Sequence, residues 1–219
     1  MTDFSPGQIA ENRAALYHWF ARAFFAPPVE GEVIEMRDGK TQLLLKSLAA
    51  TPGAAAGIEA MCSALGSGTP ASVASTVGAA HARLFYGAGG YESASPYRSV
   101  YSSERGLLCQ RATDEMERVL RQHRLRLQDG VCEPSDHLSI QLEVMSQLAS
   151  RFAEAAEQKT GMLPALQAEQ ADFLASQLLS WLPAFARRVT EVDDLGFHAG
   201  LARVLVAVLD QDHAFLTGA

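Results

Sequence analysis

From Pro134 to about Lys159, the apolar residues Leu138, Leu142, Met145, Ala149 and Phe152 recur at spacings of four, three, four and three. That rhythm lines one face of an α-helix, whereas a strand would scatter it over both faces. Proline at the head of this stretch has the φ angle a helix needs, so the helix is predicted to start at Pro134. Weaker versions of the same rhythm fill most of the chain. Ile9, Leu16, Trp19, Phe20 and Ala23 form a stripe between Pro6 and Phe25, where Pro27-Pro28 ends the helix. Helices are also predicted over residues 30–50, 54–65, 71–86 and 107–125, the last with Leu108, Met116, Val119 and Leu120 turned inward. Leu166, Phe173, Leu174, Leu178, Trp181, Leu182 and Phe185 continue the pattern, with Pro183 kinking or splitting that helix. Phe197, Leu201, Leu205, Val208 and Leu209 mark the final one. No alternating apolar–polar run of strand length occurs. The fold class expected is all-α, a single globular multi-helix domain over residues 1–219.

Two stretches interrupt this order. Residues 87–106 combine Gly87, Gly89, Gly90, several serines and Pro96 with Tyr91, Tyr97 and Tyr101. Aromatic side chains at that density pack against something, so a structured loop is expected, not a flexible linker. Tyr97 and Tyr101, four apart, share a face if the chain coils after Pro96. The second interruption runs through Gln128-Asp129-Gly130 to Cys132 and reads as a turn.

Charge narrows the function. The chain carries 18 basic and 25 acidic residues, a net charge of −7. An acidic chain lacks the basic surface that neutralises phosphates, so no nucleic-acid partner is expected. The imbalance lies in residues 127–219, which hold 5 bases and 13 acids, against 13 and 12 in residues 1–126. A cationic partner suits the C-terminal half, although an acidic face that merely keeps the chain soluble has the same composition. Cys62, Cys109 and Cys132 are odd in number and far apart, as expected of reduced thiols in a cytosolic setting. No basic segment followed by an apolar core opens the chain, and no apolar run approaches the roughly 20 residues needed to span a bilayer. A cytoplasmic location without stable membrane insertion is expected.

Candidate chemistry gathers in Glu133-Pro134-Ser135-Asp136-His137. Acids at a helix start are stabilised by its free amides and partial positive charge, and Asp136 near the third helical position suits a capping bond. His137 lies about 100° off the inward stripe, at the edge of the buried face. There its imidazole either faces a groove or bonds a backbone carbonyl. Cys132, Asp136 and His137 are metal-ligand types, but no second close pair completes a four-ligand set, and neither metal nor other cofactor is expected. Asp136 with His137 as an acid–base pair, for example in a nucleotide (GTP) hydrolase, lacks a nucleophile and a phosphate loop. That reading and a purely structural interaction module stand as alternatives.

The stretches Ser93-Ala94-Ser95-Pro96-Tyr97-Arg98-Ser99-Val100-Tyr101, Glu133 to Met145, and Phe173 to Phe185 together resemble the TorD/DmsD family of redox-enzyme maturation chaperones. The likeness spans roughly residues 10–215 and is strongest from 84 to 190. It implies a TorD-like helical bundle with no catalytic residues. The implied role is to bind the twin-arginine signal peptide of a molybdopterin-containing oxidoreductase precursor, of the DMSO or TMAO reductase class, and delay export until the cofactor is loaded. It places Glu133, Asp136 and His137 in the peptide-binding region, with Ser95, Pro96, Tyr97 and Tyr101 in a neighbouring segment. It also implies a monomer or a domain-swapped homodimer, with a hinge at residues 126–133. Carboxylates suit this ligand, since each can take a guanidinium in a two-bond fork.

Overall fold

In the computed structural model, residues 4–102, 108, 111–128 and 130–219 are described. Helices account for the regular structure. No strand forms among these residues, and Tyr97 and His137 meet in an isolated antiparallel bridge. The all-α expectation holds. Contacts within the chain group into two units. One comprises Met1–Phe25, Tyr97–Trp181 and His213–Ala219, the other Ala26–Pro96 and Leu182–Asp212.

The first unit is built on α1 (Pro6–Phe25) lying along α8 (Leu138–Glu157). The buried face of α1 is Gly7, Ala10, Ala14, Tyr17, Phe20, Ala21 and Phe24, not the stripe through Ile9, Leu16 and Trp19 read from hydrophobicity. Small side chains decide this. A Cβ on Gly7 would stand 3.7 Å from the Ala153 carbonyl oxygen, and the Ser146 hydroxyl donates to the Ala14 carbonyl at 2.9 Å. Gly7, Ala10 and Ala14 thus let the backbone of α1 lie close to α8, with Tyr17, Phe20 and Phe24 filling the rest of the face.

Beside this pair stand α7 (Arg111–His123), α9 (Leu163–Phe173) and a short helix, α6 (Arg98–Ser102). Leu108, expected to point inward, lies ahead of α7 and is 46% exposed. α9 runs into six residues of π-helix, Leu174–Leu179. Ser176 and Ser180 donate their hydroxyls to carbonyls four residues back, at 2.7 and 2.8 Å, competition that loosens the helical ladder. The helix then ends, and α10 (Leu182–Val192) begins with Pro183 at its second position, where no intrahelical amide bond is lost. The split foreseen at Pro183 is present. The π segment was not foreseen.

The second unit holds α2 (Glu30–Arg37), α3 (Gly39–Leu48), α4 (Ala55–Gly66), α5 (Pro70–Phe85), α10 and most of α11 (Phe197–Thr217). The single helix expected over 30–50 is two, because Asp38 caps the second. Its carboxylate accepts from the Lys40 and Thr41 amides, both at 2.9 Å. His81 and His198, both fully buried, have ring centroids 5.5 Å apart and pack against Phe85. Burial, helped by His81 and the Arg83 charge, depresses the His198 pKa to about 3.

α4 and α11 cross at Gly57 and Gly200. A methyl group on Gly200 would stand 2.5 Å from the Gly57 carbonyl oxygen and 2.9 Å from Met61 Cγ. Backbone cannot yield there as a side chain can, so Gly200→Ala should destabilise the protein by about 1–3 kcal/mol. At about 2–4 °C per kcal/mol for a chain of this size, thermal melting by circular dichroism resolves the loss. An unchanged melting temperature would mean the crossing is looser than this geometry requires.

Candidate functional site

The segment Glu133–His137 is not the first turn of a helix. α8 begins at Leu138, and its N-cap is His137, whose Nδ1 accepts from the Ser139 amide at 3.1 Å. The predicted start at Pro134 is corrected by four residues. Pro134 instead takes part in a turn, its carbonyl accepting from the His137 amide at 3.0 Å. Histidine caps a helix only through a bare ring nitrogen, so the imidazole is neutral with its proton on Nε2. Burial depresses its pKa to about 4, against the opposing pull of Glu133 and Asp136. His137 is 4% exposed. Of the two settings left open for the imidazole, a groove or a bond to a backbone carbonyl, the structure shows a buried ring bonded to a backbone amide.

Asp136 is fully buried. One carboxylate oxygen accepts from the Ser99 amide at 2.8 Å and the other from the Thr113 hydroxyl at 2.7 Å. Its main-chain carbonyl accepts from the Arg98 amide at 3.2 Å and from Gln141 Nε2 at 2.9 Å. Neither the capping role nor the ligand-facing role expected of Asp136 fits this geometry. It is instead the joint that fastens α6 and α7 to the start of α8. It also makes no bond to His137, so the acid–base pair of the hydrolase alternative is not assembled.

Arg98 strengthens the same joint. Its guanidinium donates to Glu115 at 2.9 Å and to Gln177, on the π segment, at 2.8 Å. Arg111 donates to the second oxygen of Glu115 at 2.7 Å. Burial pushes the Glu115 pKa up, but the bonds from Arg111 and Arg98 outweigh it and hold the carboxyl below its ordinary range. Trp181 closes the layer, its Nε1 donating to the Gln177 carbonyl at 2.8 Å and to Gln141 Oε1 at 3.2 Å.

Glu133 has a different situation. It is half-buried, and its carboxylate accepts a hydrogen bond from the Tyr97 hydroxyl. The Tyr97 ring stands edge-on to His137 at 5.0 Å, and His137 stands edge-on to Phe25 at 6.3 Å. The carboxylate is thus held by a phenol whose own ring packs against the His137 imidazole. That combination can take a cation through the carboxylate and apolar side chains through the rings.

Tyr97 and Tyr101 do not share a face. Tyr97 precedes α6 and turns to Glu133, whereas Tyr101 stacks on Trp181 with centroids 5.5 Å apart. Ser95 and Pro96 belong to the second unit, half-buried and buried respectively. Cys62 and Cys132 are free thiols. Cys109 and Asp129 lie outside the described residues. Sequence reasoning missed Phe25, Thr113, Glu115, Gln141 and Gln177. Arg98, Gln141 and Gln177 stood inside quoted stretches, but Phe25, Thr113 and Glu115 meet His137, Asp136 and Arg98 across 112, 23 and 17 positions and carry no local signal.

The family model described as nitrate reductase delta subunit matches residues 49–187. A Vibrio cholerae protein named Chaperone protein TorD is 32% identical over 202 residues, covering 92% of this chain and 90% of that protein. The chain belongs to the TorD family. Proteins of the same name from Vibrio parahaemolyticus and Photobacterium profundum are 30% and 27% identical, each covering 95% of this chain. The TorD relatives are chaperones, so the chain is a chaperone and not an enzyme. Among the described residues no helix is long and apolar enough to cross a membrane.

Proposed function

We propose that this TorD-family chaperone binds the twin-arginine leader of a molybdenum oxidoreductase precursor, of the DMSO or TMAO reductase class, in the cytoplasm. It holds that leader until the molybdenum cofactor is loaded and then releases it for export. The observation that carries the reading is the Glu133 carboxylate, half-buried and held by the hydroxyl of Tyr97. A carboxylate accepting one phenol bond keeps lone pairs for a guanidinium fork. The apolar part of the leader lies along Tyr97, with His137 and Asp136 holding the wall in shape. Ser95 and Pro96, next to Tyr97 in sequence, are further proposed contacts, and the chain acts as a monomer or as a dimer swapped about residues 126–133. The acidic balance of residues 127–219 speeds encounter with a basic leader.

Glu133→Gln tests this without removing the hydrogen bond from Tyr97. A charged hydrogen bond is worth about 1.5–3 kcal/mol, so affinity for a labelled twin-arginine peptide should fall at least about tenfold while the helical spectrum stays the same. Affinity within about twofold of the parent would remove Glu133 from the site.

A further inference from the structure

Gln177 lies on the π segment that follows α9 and is buried. A π turn is rare in helices and is found frequently at functional sites. Gln177 Oε1 accepts from the Arg98 guanidinium at 2.8 Å, and the Gln177 carbonyl accepts from the Trp181 indole at 2.8 Å. That indole also donates to Gln141 Oε1 at 3.2 Å, and Gln141 Nε2 donates to the Asp136 carbonyl at 2.9 Å. The same carbonyl takes the Arg98 amide at 3.2 Å. The bonds close a ring, from Gln177 through Arg98, Asp136, Gln141 and Trp181 back to Gln177. Its members are buried or nearly so, where a satisfied hydrogen-bond network is stiff.

Two neighbours lead out of the ring. Tyr97 precedes Arg98 in the chain and bridges His137, the residue after Asp136. The Tyr97 hydroxyl ends on the half-buried Glu133 carboxylate. The ring therefore fixes the backbone on both sides of the Tyr97–Glu133 bond, at Arg98 and at Asp136. Removing the Gln177 acceptor leaves the bonds of Asp136 to Ser99 and Thr113 intact. Arg98 would then keep only Glu115 as a side-chain anchor. We infer that Gln177 is a positioning residue for leader binding, which through Arg98 sets where Tyr97 holds the Glu133 carboxylate. This rests on the functional reading above and extends it to a residue that touches no ligand. A two-bond fork is demanding in geometry, so a carboxylate less firmly placed binds arginine less well.

A double-mutant cycle tests it. Fluorescence anisotropy with a labelled twin-arginine peptide gives affinities for the parent, Gln177→Leu, Gln177→Glu and Glu133→Gln chains, and for Gln177→Leu combined with Glu133→Gln. Gln177→Leu removes the acceptor and should weaken binding about fivefold. Gln177→Glu keeps an acceptor, with Arg98 as its counter-ion, and should stay within about twofold. In the combined chain Gln177→Leu should cost less than about twofold beyond Glu133→Gln alone, because it acts through that carboxylate. A second readout needs no peptide. In protein labelled with 3-fluorotyrosine, the fluorine resonance of Tyr97, assigned with Tyr97→Phe, should move in Gln177→Leu and hold its place in Gln177→Glu. Equal losses from Gln177→Leu in both backgrounds, or a Tyr97 resonance unmoved by it, would overturn the positioning role while leaving Glu133 in place. Full affinity in Glu133→Gln would overturn the functional reading and this inference with it. If Gln177→Leu does not fold, Gln177→Ser, too short to reach Arg98, carries the same expectations.

Discussion

Between pH 6.5 and 4 the protein is expected to lose most of its stability, with two histidines responsible. His137 titrates near 4 in the folded chain and His198 near 3, against 6.5 for an unburied imidazole. Both are depressed by burial, so as the pH falls through 6.5 the unfolded chain takes up protons that the folded chain refuses. Stability therefore falls with pH over this window and is complete above it. By pH 4, shifts of this size correspond to about 3 kcal/mol for each histidine. Together they rival the roughly 5–15 kcal/mol that holds a typical domain folded. The two act by different routes. Protonating His137 at Nδ1 destroys the acceptor that caps α8, whereas a charge on His198 is placed beside His81 and Arg83 with no hydrogen-bond acceptor for either ring nitrogen. Urea unfolding followed by circular dichroism at several pH values gives the slope, and His198→Leu should flatten it. Stability that stays level from pH 7 to 5 would show that neither imidazole is buried as described.

Asp136→Ala is expected to cost about 3–5 kcal/mol. It strands the buried Ser99 amide and removes the acceptor of the Thr113 hydroxyl, each charged bond being worth about 1.5–3 kcal/mol. Asp136→Asn should behave quite differently. An amide in the same place accepts the Ser99 bond through its oxygen and donates to the Thr113 hydroxyl, which rotates its own proton away. That variant should cost about 1–2 kcal/mol and leave leader affinity within about threefold. The contrast separates a joint from a ligand contact, since an aspartate that met arginine directly would lose about tenfold in affinity as asparagine. Isothermal titration of the asparagine variant, at a temperature where it is fully folded, decides between them.

Much of this architecture was legible in the sequence because helical periodicity is a local signal. The long stripe from Leu138 to Phe152 gave α8 nearly whole, and the prolines after Phe25 and at Pro183 marked real helix boundaries. The errors have a common cause. The start of α8 was misplaced because Pro134 is as good a helix opener as a turn residue, and only the distant partners of Asp136 select the turn. The face of α1 was misread because burial there follows the closeness of α8, which favours Gly7, Ala10 and Ala14 over larger apolar neighbours. The break at Asp38 is visible in principle, an aspartate ahead of the amides of Lys40 and Thr41, but the weak patterning of residues 30–50 leaves boundaries there loose.

The candidate site divides the same way. Glu133, Tyr97, Asp136 and His137 were picked out by residue type and motif, and the structure does bring them together. Their division of labour was not legible. Nothing along the chain says that Asp136 turns in toward Ser99 and Thr113 while Glu133 stays at the surface, because that depends on α6 and α7 being folded against residues 133–138. Phe25 lies more than 70 positions before Tyr97 and no pattern connects them.

Photo-crosslinking asks most directly whether the leader lies on this corner. A twin-arginine peptide carrying a photoreactive side chain next to its arginines would be irradiated on the intact protein and the adducts mapped by mass spectrometry. The expected adducts fall on Tyr97 and the residues around Glu133, and free arginine-rich competitor peptide removes them. Adducts confined instead to the cavity of about 520 Å³ lined by Pro52, Pro183, Arg187, Arg203 and Val206 would contradict the assignment.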